Sequence, residues 1–255
     1  MAIQTNILQY LEVTAPRLPQ KIAYADGTDH ITFDELYCSA RSIGSGLLAH
    51  GYSKEPIAIL MEKHPRVPAA FYGAVYAGCF YVPLDSAMPR HRMEVILEQV
   101  GARVIVVDAK NQRVAEKLQF SGEILLYDQL AGHPINEAGL QKVRARQLDV
   151  DPIYIVFTSG STGIPKGVSA CHRSVIDYVE ALSDCLEFSE DSVFANQTPL
   201  FFDAPLKELM PVIKFGATAY FVPKMLFMFP MKLCDFLNEY RINTVCWVVS
   251  ALTMI

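Results

Sequence analysis

The chain has 255 residues, of which 51% are hydrophobic and 19% charged, and its formal net charge is -5. Such values are typical of globular chains with one large or two smaller domains. The mild acidity and the absence of a Lys/Arg block exclude nucleic acid and anionic membranes as expected partners. Six cysteines show neither close pairing nor metal-ligand spacing, so we expect reduced thiols, a cytoplasmic protein and no metal site in this chain.

The first 55 residues predict two helices around a pair of short strands. The turn-rich stretch Asp26–Asp29 joins the strands, and Thr32 or Asp34 precedes the second helix as a candidate cap. Apolar residues of that second helix recur on one face. The predicted elements are helix 6–15, strands 22–24 and 31–33, and a helix whose inner face carries Leu36, Ala40, Ile43 and Leu47.

From residue 56 onward, apolar strands alternate with helices. Continuous apolar strands separated by helices indicate an α/β fold in which a parallel sheet is covered by helices on both faces. The uncharged stretch 67–84 is long enough to span a bilayer, but prolines and Gly78 interrupt it. We therefore predict a helix and a strand there. The predicted elements are strands 56–60, 81–83, 103–107 and 124–126, and helices 66–77, 90–100 and 111–118.

Residues 131–149 are polar and irregular in pattern, which predicts a surface connection between two subdomains. We accordingly divide the chain into an N-terminal α/β subdomain, 1–150, and a second subdomain, 151–255. The second subdomain repeats the alternation of strands and helices. Its predicted elements are strands 154–157, 192–195, 219–222 and 244–248, and helices 172–183, 203–214 and 233–240.

Hydroxyl and glycine residues follow the predicted strand 154–157 without interruption. Glycine allows close backbone approach and positive φ, and hydroxyl and N–H groups bind phosphate oxygens. A lysine adds a cation, and Pro165 restricts the backbone beside it. The segment predicts a nucleotide-phosphate loop with these phosphate-binding residues: Thr158, Ser159, Gly160, Ser161, Thr162, Gly163 and Lys166.

This loop differs from the Walker A loop, which requires glycine before the lysine and serine or threonine after it. Here Pro165 and Gly167 flank Lys166. A flexible Ser/Gly turn between two strands is the simpler alternative. The fixed Pro-Lys-Gly order after a strand favours the phosphate loop.

Residues 158–168 closely resemble the phosphate-loop signature of the adenylate-forming (AMP-binding) superfamily. Segments 31–36, 76–85 and 196–203 resemble other elements of that family in the same order, so the resemblance extends over essentially the whole chain. The superfamily includes peptide-synthetase adenylation domains, D-alanine–carrier protein ligases, acyl-CoA synthetases and luciferases. The resemblance implies the N-terminal subdomains of an adenylate-forming enzyme.

The resemblance also implies a reaction. An amino acid carboxylate attacks the α-phosphate of ATP, with Mg²⁺ as cofactor, and the aminoacyl group then passes to the phosphopantetheine thiol of a carrier protein. In the family the adenine-binding segment, a metal-holding glutamate, a ribose-binding aspartate and the catalytic lysine lie further along the chain. We therefore assign no catalytic residue here, and we expect residues 1–255 to be an N-terminal portion that is inactive alone.

Asp203 separates the branches of the family. In amino-acid-activating members an aspartate at this place pairs with the α-ammonium of the substrate, and by resemblance the pocket is lined by Asp203, Ala204, Lys207 and Trp247. The alternative is that Asp203 only caps the following helix. A capping role would favour an acyl- or aryl-CoA ligase of the same fold. A third possibility is a catalytically silent binding module, against which the intact phosphate loop argues.

Lys207 lies four residues after Asp203, so both share one helix face. A lysine inside a desolvated pocket fits a substrate with its own carboxylate, which predicts an acidic amino acid, glutamate before aspartate. Alternatively, Lys207 reaches solvent or pairs with Asp203. The chain departs from the family at two places that shape the pocket: Pro205 replaces a serine, and Val249-Ser250 replaces proline and a small residue.

Overall fold

The computed structural model describes residues 4–159 and 165–253. Helices and strands alternate along most of these residues. In chain order the elements are α1 (Leu8–Arg17), β1 (Ile22–Ala25), β2 (His30–Thr32), α2 (Phe33–Ala49), β3 (Pro56–Leu60), α3 (Val67–Tyr76), β4 (Phe80–Leu84), α4 (Arg90–Val100), β5 (Val104–Val107), α5 (Gln112–Ala115), β6 (Glu123–Leu126), α6 (Tyr127–Ala131), α7 (Glu137–Arg144), β7 (Pro152–Ser159), β8 (Pro165–Cys171), α8 (His172–Leu186), β9 (Val193–Asn196), α9 (Leu206–Pro211), a π-helical turn (Val212–Gly216), β10 (Thr218–Phe221), a 3-10 helix (Lys224–Met228), α10 (Pro230–Glu239) and α11 (Val249–Leu252).

The contacts of the chain divide it into two compact units. The first comprises residues 1–9, 37–62 and 67–176, and the second comprises residues 10–36, 63–66 and 177–255. Each unit contains its own sheet. The division of the chain into subdomains 1–150 and 151–255, made from the sequence, stays a prediction.

The first unit is built on a six-stranded sheet in the order β6-β5-β3-β4-β7-β8. All neighbours run parallel except β7 and β8, which pair antiparallel. Every residue of β3 and β5 is buried, as expected for central strands covered on both faces. The α/β class with a largely parallel sheet is therefore confirmed.

The second unit contains a four-stranded sheet in the order β2-β1-β10-β9. Strands β1 and β2 form an antiparallel pair, whereas β10 runs parallel to both β1 and β9. A core cluster beside β9 and β10 contains Ala195, Val222, Leu233, Phe236, Trp247 and Ala251. This core supports the end of β9, where the predicted substrate segment begins.

Local sequence signals explain the start of α2. Thr32 Oγ1 accepts a hydrogen bond from the Glu35 backbone N–H at 3.3 Å, and the Glu35 carboxylate accepts one from the Thr32 N–H at 2.8 Å. This reciprocal capping box satisfies N–H groups that the helix leaves unpaired. The predicted inner face is confirmed, since Leu36, Ala40, Ile43 and Leu47 are all 0% exposed.

The stretch 67–84 is helix α3 followed by strand β4, as predicted, and every residue of α3 is buried. Its apolar composition thus reflects a position inside the first unit. Among the helices of the described residues, none combines the length and apolarity needed to cross a membrane.

Two local predictions were wrong, and one segment contains a helix that we did not predict. Residues 131–149 contain α7, whose Asn136 side chain caps it by accepting from the Gly139 N–H at 3.0 Å. The helix is short and buries only Leu140, so its periodicity was too weak to read. The predicted helix 203–214 begins at Leu206 and passes into the π-helical turn at Val212. Within 244–248, the described backbone forms a single bridge, Thr244 to Phe194.

Candidate functional site

The described strands β7 and β8 contain the first two residues of the predicted phosphate loop, Thr158 and Ser159, and its lysine, Lys166. In the antiparallel register Thr158 faces Lys166, and Ser159 faces Pro165. The Thr158 hydroxyl donates to the Lys166 carbonyl at 3.5 Å, and Thr158 and Lys166 are both exposed. Four predicted phosphate-binding residues lie outside the described residues: Gly160, Ser161, Thr162 and Gly163.

Packing beneath β7 and β8 explains the glycine after Lys166. A Cβ at Gly167 would lie 2.9 Å from Ile155 Cγ2 and 3.1 Å from Phe157 Cζ. Phe157 belongs to the core cluster of the first unit. Because β8 must approach these side chains closely, position 167 requires glycine, and the two strand ends beside the loop are thereby held on a packed ladder.

The second candidate region is the segment Asn196–Glu208, which we call the substrate segment. It starts at the end of β9 and ends in the first turn of α9. Asp203 is exposed and lies before the helix, where its backbone carbonyl accepts from the Leu206 N–H at 3.0 Å. The N-cap residue of α9 is Pro205, and no side chain caps it. The carboxylate of Asp203 is thus available for another partner.

The other predicted pocket residues occupy different environments. Ala204 and Lys207 are half-buried, and among the described residues Lys207 forms no ion pair within 4 Å. Trp247 is 7% exposed, donates its indole N–H to the Ala195 carbonyl, and lies edge-on to Phe227 with ring centroids 5.2 Å apart. Contact of any of them with a substrate stays a prediction.

Sequence reasoning missed a cluster at the two ends of the substrate segment that contains a half-buried lysine and a buried glutamate. Lys63, from the loop after β3, donates its ammonium to the carbonyls of Asn196 at 2.9 Å and Gln197 at 3.2 Å. Glu208 is 1% exposed and accepts from the Asn196 side-chain amide at 3.0 Å. We call Lys63, Asn196 and Glu208 the anchor cluster.

Burial shifts both charged groups of the anchor cluster toward their neutral forms. It lowers the pKa of Lys63 to about 7, although the charge of Glu208 opposes this shift. It raises the pKa of Glu208 to about 7, against the hydrogen bond from Asn196 and the charges of Lys207 and Lys63. Two groups that titrate near neutrality are typical of functional sites as well as of structural ion pairs.

Two further titratable groups sense these charges. Burial raises the pKa of Tyr178, and the charges of Cys246, Asp203 and Glu208 add to that rise. Burial also raises the pKa of Cys246 to about 11, with Glu208 adding to the rise and Lys207 opposing it. The carboxylates and ammonium groups of the substrate segment therefore act on a common set of neighbours within the second unit.

Two further features of the described residues concern ligand sites. Within residues 4–159 and 165–253, no three Cys, His, Asp or Glu side chains are arranged to hold a metal ion. A cavity of about 450 Å³ in the first unit is lined by residues that include Lys54, Lys142 and Arg146. None of the predicted site residues that the structure describes lines that cavity.

Comparison with known families decides the classification. The model of the family described as "AMP-binding enzyme" matches residues 11–255. The chain belongs to the AMP-binding enzyme family. This confirms the resemblance inferred from the phosphate loop and the three other segments.

Two relatives of this chain are a synthase and a ligase by name. A component of the plipastatin synthase of Bacillus subtilis is 29% identical over 248 residues, which are 95% of this chain and 7% of that protein. The D-alanine–D-alanyl carrier protein ligase of Staphylococcus aureus is 27% identical over 244 residues, which are 96% of this chain and 48% of the ligase. The chain thus spans about half the length of the ligase.

Solved structures agree with the fold. A nonribosomal peptide synthetase, FmoA3, in its AMPPNP-bound form matches with a TM-score of 0.84 at 25% identity, over 100% of this chain and 26% of that one. A four-domain nonribosomal peptide synthetase bound to AMP and glycine, AB3403, matches with a TM-score of 0.83 at 24% identity, over 98% and 18%. The chain therefore has the fold of peptide-synthetase adenylation domains.

A weak sequence signal existed for the missed cluster. Glu208 is a charged residue surrounded by Leu206, Leu209 and Met210, and a carboxylate amid apolar residues needs a partner. Lys63, by contrast, stands in a polar stretch after β3 and looks like a surface residue. Its partner lies 133 positions away, a pairing that no local pattern predicts.

Proposed function

We propose that the complete protein carrying this chain activates an amino acid as its adenylate and passes the aminoacyl group to the thiol of a carrier protein. The observation that carries the proposal is the exposed Asp203 carboxylate, which stands before α9 without capping it. A substrate α-ammonium is the partner that such a carboxylate binds. The names of the matched relatives support this choice, because they include a ligase that joins D-alanine to a carrier protein.

The second half of the proposal concerns the antiparallel strands β7 and β8, which we call the phosphate hairpin. ATP, with Mg²⁺, is the proposed nucleotide substrate. The amino acid carboxylate forms a bond to the α-phosphorus, the bond from that phosphorus to the bridging oxygen breaks, and pyrophosphate leaves. Lys166 and the loop hydroxyls stabilise the negative charge that develops on pyrophosphate, a task of positioning and electrostatics. AMPPNP bound to the matched synthetase supports a nucleotide site in this family.

Lys207 is the residue to which we assign side-chain selection. It is half-buried and has no ion-pair partner within 4 Å among the described residues. Its charge opposes the burial-driven rise in the pKa of Glu208, but the two side chains form no ion pair within 4 Å, so Lys207 has no paired counter-charge among the described residues. A substrate carboxylate would supply that counter-charge, which supports an acidic amino acid, glutamate before aspartate.

ATP–pyrophosphate exchange by the complete protein tests the proposal with a panel of amino acids and of aryl and fatty acids. We expect that only the amino acids of the panel support exchange, and that glutamate gives the largest kcat/KM. Preference for alanine or another small neutral amino acid would contradict the role of Lys207. Activation of acids that lack an amino group would instead establish an acyl- or aryl-CoA ligase, and failure to bind ATP would establish a binding module.

The variant Asp203→Asn tests the ammonium contact directly. We expect the KM for the amino acid to rise about 10- to 100-fold, the loss of a charged hydrogen bond of about 1.5–3 kcal/mol, with the KM for ATP unchanged. Asp235→Asn, an exposed aspartate of α10, is the matched control and should have no effect. Unchanged kinetics of Asp203→Asn would remove Asp203 from the site.

Residues 1–255 alone are a separate case. We propose that they do not catalyse exchange, since they match only 48% of the length of the carrier protein ligase. Amino-acid-dependent exchange by residues 1–255 would contradict this proposal while leaving the assignment of the loop intact.

A further inference from the structure

The substrate segment is tied at both ends by buried polar contacts. Its first residue, Asn196, is 0% exposed, and its last, Glu208, is 1% exposed. Between them lie Asp203, Ala204 and Lys207, the three residues of this segment that we propose to contact the amino acid. We infer that Lys63 and Glu208 are positioning residues that hold the substrate segment in its binding conformation, an inference that rests on the proposed function.

Lys63 holds the beginning of the segment. Its ammonium donates to two successive carbonyls, Asn196 at 2.9 Å and Gln197 at 3.2 Å, and it lies 5.6 Å from the ring centroid of Phe221. The Asn196 carbonyl also accepts from the Val222 N–H at 3.0 Å. The chain therefore leaves β9 at a point held by a hydrogen bond from Val222, the residue after β10, and by a half-buried cation.

Glu208 holds the end of the segment through the side chain of its first residue. The Asn196 amide donates to Glu208 Oε2 at 3.0 Å, a contact between residues 12 positions apart. This contact closes the segment into a loop that includes Asp203 and Lys207. A loop whose ends are fixed loses less conformational freedom when a ligand binds, so the anchor cluster favours amino acid binding without touching the amino acid.

The charge state of the anchor cluster adds a pH dependence. Four titratable groups interact electrostatically with the cluster or its neighbours. The charge of Lys207 opposes the burial-driven rise in the pKa of Glu208, and the charge of Glu208 adds to the burial-driven rise in the pKa of both Tyr178 and Cys246. The charge of Asp203 also adds to the rise in the pKa of Tyr178. Protonation of Glu208 weakens its acceptance from Asn196, and deprotonation of Lys63 removes the cation from the two carbonyls. Both changes occur near pH 7, because burial moves the pKa of each group to about 7.

A matched control pair exists in the same unit. Lys214 Nζ lies 2.8 Å from Glu180 Oε2, the Lys214 side chain is 13% exposed, and Glu180 also accepts from the Tyr10 hydroxyl. This pair contacts no residue of the substrate segment in the hydrogen bonds of the described residues. If the anchor cluster were only a stabilising ion pair, Lys63→Met and Lys214→Met would have the same consequences.

Hydrogen–deuterium exchange of the complete protein provides a readout that does not require activity. We expect peptides covering residues 197–207 to exchange about tenfold faster in Lys63→Met, which loses the ammonium donor, and to exchange faster by a smaller factor in Glu208→Gln, whose side-chain carbonyl keeps an acceptor but loses the charge. Lys214→Met should leave those peptides unchanged. Lys63→Arg keeps the cation and its donors, so it should restore slow exchange; this variant and Glu208→Gln carry the test if Lys63→Met does not fold.

Kinetics provide the second readout. We expect Glu208→Gln to raise the KM for the amino acid about tenfold with the KM for ATP unchanged, and to remove one inflection near pH 7 from the kcat/KM profile for the amino acid. Equal loss of thermal stability in Lys63→Met and Lys214→Met, with unchanged exchange in residues 197–207 and an unchanged KM for the amino acid, would overturn the inference. Faster exchange in residues 197–207 without activation of any amino acid by the wild-type protein would support the anchoring and refute the proposed function.

Discussion

The phosphate hairpin and the substrate segment are stabilised by different interactions. In the hairpin, Thr158 and Lys166 are exposed and the strands beneath them are held by a backbone ladder and by packing around Gly167. In the substrate segment, an irregular backbone is held by the anchor cluster, whose Asn196 and Glu208 are buried and whose Lys63 is half-buried. Each arrangement follows from its local backbone, because a ladder satisfies its own polar groups and an irregular segment does not.

This difference predicts where substitutions act. The exposed polar side chains of the hairpin support no packing, so their substitution should alter chemistry alone. Residues that support the substrate segment are buried, so their substitution should alter stability and ligand binding together.

Trp247→Ala should produce the largest effect. The side chain is 7% exposed and donates to the Ala195 carbonyl in β9, immediately before the substrate segment. Truncation should lower the free energy of unfolding by about 3–5 kcal/mol, as for other buried aromatic residues. Chemical denaturation measures this value, with Phe202→Ala, an exposed aromatic residue, as the control. A loss below about 1 kcal/mol would mean that Trp247 lines a pocket rather than the core.

Lys166→Ala should leave stability within about 0.5 kcal/mol, as for exposed sites, and lower kcat/KM for ATP about 10²- to 10³-fold in the complete protein. The physical reason is the loss of a cation beside the developing charge of pyrophosphate. Lys117→Ala, which removes an exposed lysine elsewhere in the first unit, is the control. A change in amino acid KM with unaltered ATP kinetics would reassign the hairpin.

Glu208→Gln should change how stability depends on pH. Burial raises the pKa of Glu208 from 4.5 to about 7, so the folded state binds a proton more tightly than the unfolded state. Its contribution to stability is therefore complete below pH 4.5 and declines as pH rises to about 7, by at most about 3 kcal/mol. Thermal denaturation across this range should show the decline in the wild type and a flatter profile in the variant. Identical profiles would contradict the burial of an ionisable Glu208.

Gly167→Ala should have the smallest effect. The added Cβ would meet Ile155 Cγ2 and Phe157 Cζ beneath the hairpin. Overpacking of this kind costs about 1–3 kcal/mol, measured as a lower free energy of unfolding. Ser169→Ala, at an exposed position of β8, is the control. An unchanged free energy of unfolding would show that β8 can move away from Ile155 and Phe157 without loss of stability, and that packing around Gly167 does not hold the hairpin.

Much of the fold could be predicted from the sequence, because each buried strand of the parallel sheet is a continuous run of apolar residues. Strands β3 and β5 are buried on both faces, so their composition alone identifies them. Strand β8 was not predicted, because most of its residues are exposed and its pairing with β7 brings exposed polar residues into register. Helix α7 was missed for a related reason, since a short helix with one buried residue has almost no periodicity.

The sequence by itself determined the family and the α/β class, and it predicts the phosphate loop, because these inferences depend on contiguous residues whose types are chemically restrictive. Tertiary structure alone decided that Lys63 meets Asn196 across 133 positions and that Asp203 precedes α9 instead of capping it. The neighbouring sequence does not establish whether a charged residue is buried in the folded protein. Whether an ammonium or a carboxylate is buried, and which partner stabilises it, depends on distant chain segments that packing brings together.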